Sequence, residues 1–307
     1  VNEGMMRTGL PRPEFMSERT DDQLLESLLA ASRVRARILH QVQYCGRWHG
    51  SDPQAPPGTA WFHLLDRGGC EVLVEGLPGL RMNAGDFVMI THGTAHRLRT
   101  AEGVPEGFAS LLCGEFCFEP PSGARLLHGL PQVIRVPVSA GGERFRQLCA
   151  LLIEEAGQHR FGRQAVMDRL ADALFVMALR YQLDTVPADR GVFAALADPR
   201  LRGALLAIHT EPGQAWTVAT LAERVHLSRT AFAERFQEVM GEAPIQYLTR
   251  WRMTQALTLL RDPRASVAQV GSRLGYATEA AFRRSFARVH GFGPGAYRKG
   301  AVASAPA

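Results

Sequence analysis

Lysine is almost missing from this 307-residue chain: Lys299 is the only one, so arginine carries nearly all of the positive charge. A genome rich in G and C would give the same bias, but arginine also suits bidentate contacts to phosphate or guanine. Long hydrophobic runs are missing too. No 18 residues in a row are apolar, which excludes a helical membrane span. The start, VNEGMMRTGLPRPEFMSERT, has no apolar core of the signal-peptide kind. Residues 1–20 read as a disordered leader, and the tail GAVASAPA, with residues 301–307, reads as loose. Cysteine is scarce and odd in number: Cys45, Cys70, Cys113, Cys117 and Cys149 have no tight spacing. That gives no disulfide framework and fits a reducing cytoplasm. The apolar share of 46% is ordinary, and the length suits two domains.

Charge is distributed unevenly. From Arg200 onward there are 15 basic and 7 acidic residues, a balance of +8, against a total of +5. The preceding part is therefore mildly acidic. A basic carboxyl-terminal third has the electrostatics of a phosphate-binding surface, although a solvated basic face is common.

That third carries one pattern written twice. The first copy runs VATLAERVHLSRTAFAERFQEVMGEAPIQY from Val218 to Tyr247, and the second runs VAQVGSRLGYATEAAFRRSFARVHGFGPGAY from Val267 to Tyr297. Phe232, Phe236, Gly241, Pro244 and Tyr247 recur 50 positions later as Phe282, Phe286, Gly291, Pro294 and Tyr297. The starts lie only 49 apart, so the second copy has one extra residue in its turn. Val218, Leu221, Ala222 and Val225 share one helical face, as do Val267, Val270, Gly271 and Leu274. Small residues at Ala222 and Gly271 permit close helix approach. Ser228 and Thr278 are N-cap residues for a second helix in each copy. Two helices around a short turn, repeated, predict paired helix-turn-helix units over 218–240 and 267–290. A plain helical bundle with a Phe core is the blander alternative; in-register duplication with outward arginines argues against it. A helix over about 243–261, stopped by Asp262-Pro263, would set the spacing of the two reading helices. Both can enter one face of a duplex if their centres lie roughly 34 Å apart.

The LS-x-x-x-F-x-x-x-F run at Leu227–Phe236, the GY-x-T-E-x-x-F-x-x-x-F run at Gly275–Phe286 and the closing G-x-x-P-x-x-Y resemble the DNA-binding domain of AraC/XylS transcription regulators. The resemblance covers about a third of the chain. It implies seven helices, two recognition helices in adjacent major-groove segments, and control of transcription, with promoter DNA and RNA polymerase as partners. It places DNA contacts at Ser228, Arg229, Thr230, Ala231, Glu234 and Arg235, and at Thr278, Glu279, Ala280, Arg283 and Arg284. Arg235 and Arg283 are expected to matter most. The target sequence is not implied.

The first half reads as β structure. Short apolar or alternating segments at Ala60–Leu65, Cys70–Val74, Arg81–Met82, Phe87–Ile90, His96–Arg99 and Ser110–Phe118 are broken by Gly, Pro and Asn, the pattern of a sandwich or barrel. GDFVMITHGTAHRL, Gly85 to Leu98, resembles the second cupin motif. The region 22–138 is therefore similar to the cupin sensor domains of some AraC/XylS regulators. That implies a jelly-roll barrel around a small-molecule pocket. In catalytic cupins histidines and a glutamate from two motifs hold a metal. His96 matches the second-motif ligand, but Trp61-Phe62-His63-Leu64 lacks the H-x-H and Glu of the first. Two readings stay open: no metal, with His96 a polar pocket residue, or convergence of His63, His92 and His96. Cys113 and Cys117 sit about 13 Å apart on one strand, too far to bond to each other. Each would need another partner, such as Cys45 or Cys70. A thiolate near arginine oxidises readily, so a redox switch through Cys45 or Cys113 is one reading and inert buried thiol the other.

Two helices bridge the halves, one marked by Phe145, Leu148, Cys149, Leu152 and Ile153, the other by Val166, Met167, Leu170, Leu174, Met177 and Tyr181. The second either packs on the barrel or the first helix, or forms a two-fold dimer seam. The expectation is an α+β two-domain chain. It has a cupin-like sensor barrel over 21–140, bridging helices over 141–183, a linker over 184–198 and an all-α DNA-binding domain with two helix-turn-helix motifs over 199–300. The function it implies is a cytoplasmic, homodimeric, one-component regulator answering an unidentified small molecule or oxidant, with no cofactor and no membrane contact. The competing class is a metal-dependent cupin enzyme with a helical appendage.

Overall fold

The computed structural model describes residues 25–29, 34–56, 58–103, 108–118, 127, 129–186 and 188–300. The leader and tail expected at the two ends lie outside these residues. Eight strands build the first domain: β1 (Arg35–Tyr44), β2 (His49–Asp52), β3 (Thr59–Val74), β4 (Leu80–Asn83), β5 (Phe87–Ile90), β6 (His96–Thr100), β7 (Ala109–Cys117) and β8 (Val133–Val136). All pairings among them are antiparallel. One sheet runs β1-β7-β3-β5-β8, and the other joins β2, β6 and β4 to the far half of β3.

The segments 60–65 and 70–74, expected as two strands, are one 16-residue strand. It changes sheets at a register shift between Leu65 and Arg67. Gly68 makes the corner possible. Its φ is +82°, and a Cβ there would lie 1.9 Å from the Phe108 carbonyl oxygen, so only glycine fits. β1, β2 and β8 escaped the sequence reading.

Alternation divides the residues of the first sheet between two cores. Leu65, Val88, Ile90, Leu111 and Cys113 face the barrel interior with Val72, Met82 and Leu98. Phe62, Leu64, Phe87, Leu112 and Phe116 face a helical layer. That layer is α1 (Gly142–Ala156) and α2 (Arg163–Thr185). Aromatic rings knit it to the sheet: Phe62 stacks on Phe116 at 4.6 Å between centroids, and Phe116 meets Phe175 at 5.0 Å. Both sides of the sheet are thus covered, which is why β3 and β7 read as near-continuous apolar runs. The broad stripe on α2 packs on the barrel within this chain. Asp172 accepts the Ala36 N–H at 2.6 Å, Asp168 accepts the Ile38 N–H at 3.1 Å, and Gln164 donates to the Ile38 carbonyl at 3.1 Å. Spaced four apart on α2, these side chains cap the free edge of β1 as a further strand would.

The expected linker is not an open tether. It holds a short helix, α3 (Gly191–Ala197), with Val192, Phe193 and Ala195 buried. Beyond it stand α4 (Pro199–Thr210), α5 (Val218–Arg224), α6 (Arg229–Met240), α7 (Pro244–Leu259), α8 (Val267–Arg273), α9 (Glu279–His290) and α10 (Pro294–Arg298), seven helices among the described residues. The rod α7 serves two cores. Tyr247, Leu248 and Trp251 join Leu221, Phe232 and Phe236 of the first unit, while Met253, Ala256 and the adjoining Leu260 join Val270, Phe282 and Phe286 of the second. His209 on α4 ties the halves of the chain together. Its Nδ1 lies 2.9 Å from the Ser27 hydroxyl and its Nε2 2.7 Å from the Tyr247 hydroxyl, and its ring stacks on Trp251.

Candidate functional site

Each helix-turn-helix unit is set by its caps. Thr217 and Ser266 begin α5 and α8 with capping boxes, closed by Thr220 and Gln269. Ser228 and Thr278 begin α6 and α9, each accepting the backbone N–H three residues on, at 3.2 Å. The first caps are 49 apart, as are the matching turn bonds from the Leu227 and Tyr276 N–H groups to the Ala222 and Gly271 carbonyls, and the second caps are 50 apart, so the extra residue of the second copy is Ala277. Both turns need a left-handed residue: His226 at φ +55° and Gly275 at φ +80°. Gly271 explains the small position of the second unit, since a Cβ would stand 3.0 Å from the Phe282 Cβ.

Ser228, Arg229, Thr230, Ala231 and Glu234 line an exposed face of α6. Thr278, Ala280, Arg283 and Arg284 are exposed on α9, with Glu279 half-buried beside them. Phe232, Phe236, Phe282 and Phe286 point the other way into the cores. Two arginines are engaged within the protein. Arg283 pairs with Glu279 at 2.6 Å. Arg235, expected to face outward, is half-buried: its Nε donates to Asp198 at 2.7 Å and its Nη1 to Glu238 at 2.7 Å. Burial alone would raise the Asp198 carboxyl, but hydrogen bonds from Arg235 and Arg200 hold it below the usual range. Asp198 also caps α4 by accepting the Arg200 N–H, so Arg235 is fixed to the first helix of the domain. That pair leaves no local mark in the sequence, because its members lie 37 positions apart.

The barrel interior holds a polar knot. His63 on β3 and His96 on β6 bring their Nε2 atoms to 2.6 Å. The Asp52 carboxylate, on β2, stands 3.2 Å from His96 Nε2 and 3.8 Å from His63 Nε2. Outer contacts fix both rings. His96 Nδ1 donates to the Thr94 carbonyl at 3.1 Å, and His63 Nδ1 meets Cys113 Sγ at 3.1 Å. Burial, and then the neighbouring His96, push the His63 imidazole down to about 3. Burial would raise Asp52, but the contact with His96 and the nearby histidine charges hold it low, so it is a carboxylate. Trp61, two residues before His63 on the same face of β3, has a buried indole N–H that finds no acceptor among the described residues. Asp52 was missed in the sequence because HGSD carries no apolar alternation to mark a strand.

Of the expected pocket residues, the structure brings together His63, His96 and Cys113. His92 does not join them: it sits exposed in a turn at φ +60°, outside the cluster of Asp52, His63 and His96. Cys45 is exposed beyond the end of β1. The thiols near the core are not activated. Burial pushes Cys70 and Cys149 up to about 12, burial and then Glu115 push Cys117 up to about 11 against the pull of Arg37, and burial and then Asp52 raise Cys113. That is the opposite of the lowered thiolate a redox switch needs.

A double-layered barrel joined to two capped, register-matched helix-turn-helix units defines a DNA-binding regulator with a cupin domain. The Cupin family model matches residues 23–184, and the Helix-turn-helix domain model matches residues 221–300. A putative AraC-like transcription regulator of Streptomyces lividans is 31% identical over 298 residues, 90% of this chain and 97% of that protein. The RCS-specific HTH-type transcriptional activator RclR of Escherichia coli K12 is 28% identical, over 81% of this chain and 89% of that protein. A solved DNA-binding domain of AdpA, in complex with a target DNA, is 37% identical over 34% of this chain and 95% of that one, with a TM-score of 0.32. The chain belongs to the AraC-like transcription regulators, and it is a DNA-binding transcriptional regulator with a cupin domain. No described helix is long and apolar enough to cross a membrane.

Proposed function

We propose that the barrel is the sensory half of a one-component regulator and that α6 and α9 are its reading helices. Ser228, Arg229, Thr230, Ala231 and Glu234 contact one major-groove segment of promoter DNA. Thr278, Glu279, Ala280, Arg283 and Arg284 contact the next, about 34 Å along the duplex. Arg235 adds a contact only when it leaves Asp198. One observation carries the reading: two faces of matched composition, capped alike, stand on one rod, α7. A small molecule or chemical signal in the barrel acts by binding one arrangement of the domains better than another, and so sets how the DNA-bound protein engages RNA polymerase. The sensor domain takes in 21–140, with α1 and α2 as its bridge, and the DNA-binding domain takes in 199–300. A homodimer is supported by apolar side chains left in solvent along the bridge: Leu151 on α1, Phe161 between the helices and Val166 on α2. An enzymatic barrel is the second reading, and the regulator relatives weigh against it.

Footprinting of the full chain on genomic fragments tests the reading. Arg229→Ala and Arg283→Ala are expected to cost about 1–3 kcal/mol each at the bases they contact and to relax preference there. Affinity is expected to fall steeply with salt. Equal affinity for all fragments, unaltered by either substitution, sinks it.

A further inference from the structure

We propose that Asp52, His63 and His96 form a binding site for one divalent transition-metal cation of the zinc or iron class, open at its remaining position. The inference deepens the sensor reading and rests on it only for its regulatory meaning.

Three potential ligand atoms converge inside the barrel. The Asp52 carboxylate can only accept. His96 gives its Nδ1 proton to the Thr94 carbonyl, so its Nε2 presents a lone pair when the ring is neutral. His63 Nε2 faces the same point. When His63 gives its Nδ1 proton to Cys113 Sγ, its Nε2 is an acceptor too, and the three atoms together suit a positive centre. The separations of 2.6, 3.2 and 3.8 Å bracket the spacing of about 3.3 Å that donors at 2.0–2.1 Å take around a tetrahedral ion. Two imidazoles and a carboxylate are borderline donors that suit zinc or iron rather than calcium or magnesium.

The outer contacts are those of ligating histidines. The Thr94 carbonyl orients His96, and Cys113 Sγ orients His63. The three donors come from β2, β3 and β6, three different strands, so the pleated frame holds the set open to a common centre. Register puts Cys113 opposite His63 on one side and His40 on the other. Asp52, partly exposed, marks the way in from solvent. The Trp61 N–H, which finds no acceptor among the described residues, lies on the same strand face, its ring 6.4 Å from that of His96 between centroids. The alternative occupant is a proton shared between the two Nε2 atoms.

The test uses tag-free full-length protein stripped with chelator and titrated with Co²⁺. Visible d–d absorption saturating at about one equivalent per chain is expected, together with a rise in Tm. Asp52→Asn and His96→Gln are expected to weaken Co²⁺ binding at least about 100-fold, and Cys113→Ser about 10–100-fold. His92→Gln and Cys45→Ser leave it unchanged. Circular dichroism and melting of the metal-free variants show that they are folded. Wild-type protein with neither absorption nor a Tm shift overturns the site in favour of the shared proton. Undiminished absorption in Asp52→Asn and His96→Gln places the ion elsewhere and also overturns it. Footprinting with and without the ion is read separately: an occupied site with unaltered DNA affinity upholds the metal and removes the sensor reading.

Discussion

Gly213 and Gly275 meet backbone to backbone. A Cβ on Gly275 would stand 2.3 Å from the Gly213 carbonyl oxygen, and one on Gly213 would stand 2.3 Å from the Arg273 carbonyl oxygen. Gly213 lies in the loop leading into the first helix-turn-helix unit and Gly275 in the turn of the second. Arg252 braces the same contact, donating to the carbonyls of Pro212 and Gln214 at 2.6 and 2.7 Å with its guanidinium over the Tyr276 ring. The two reading units are thus joined by this junction as well as by α7.

Gly275→Ala must push these backbones apart and also strain a left-handed turn. A loss of about 2 kcal/mol or more is expected in chemical denaturation, with DNA protection kept over only one half of the footprint. His226 holds the equivalent turn with a side chain already present, so His226→Ala should cost less than about 1 kcal/mol. Equal losses from the two substitutions would deny the junction its role.

Asp198→Asn weakens the hold on Arg235. Stability is expected to fall by about 1–3 kcal/mol, because Asp198 is buried and also caps α4. If Arg235 then turns to DNA, non-specific affinity rises and its salt dependence steepens by about one phosphate contact. Paired footprints of Asp198→Asn and Arg235→Ala separate the structural loss from the DNA contact.

His209 makes stability depend on acidity. Burial pushes its imidazole down to about 3, while the unfolded chain takes up the proton near the ordinary value of 6.5. Between these values the unfolded state binds more protons, so its contribution is complete above pH 6.5 and is lost as pH falls toward 3. The slope is at most about 1.4 kcal/mol per pH unit. His209→Gln should be less stable at pH 7 and should lose less on acidification to pH 4; parallel curves for the two proteins would contradict the assignment.

Asp86 is the polar anchor of the barrel rim. Its buried carboxylate pairs with Arg135 at 2.9 Å and accepts the N–H groups of Asn83 and Val138 at 3.0 and 2.9 Å. Asp86→Ala leaves three donors without their acceptor, and because Arg135 keeps access to solvent a loss of about 1–3 kcal/mol is expected, seen as a lower Tm.

The helical third was legible because its signals are local and written twice. Caps, turn glycine and inward Phe lie within one or two turns of one another, and the 49- and 50-residue offsets mark a single extra residue in the turn. The barrel was half legible. GDFVMI shows its glycine turn and apolar strand, whereas HGSD and the charged, alternating start of β1 are strands only because of what pairs beside them. Asp52 with His63 and His96, and Asp198 with Arg235, join positions far apart in the chain. Only the folded topology brings them together.

The bend of β3 at Gly68 lets one uninterrupted strand line both sheets. Consecutive side chains on its first half, Phe62 and His63, look in opposite directions, one toward the helices that lead to the DNA-reading half and one into the barrel. A single peptide unit therefore separates the barrel interior from the helical layer. A change in how His63 is held would have only the β3 backbone to cross before it met the Phe62 ring.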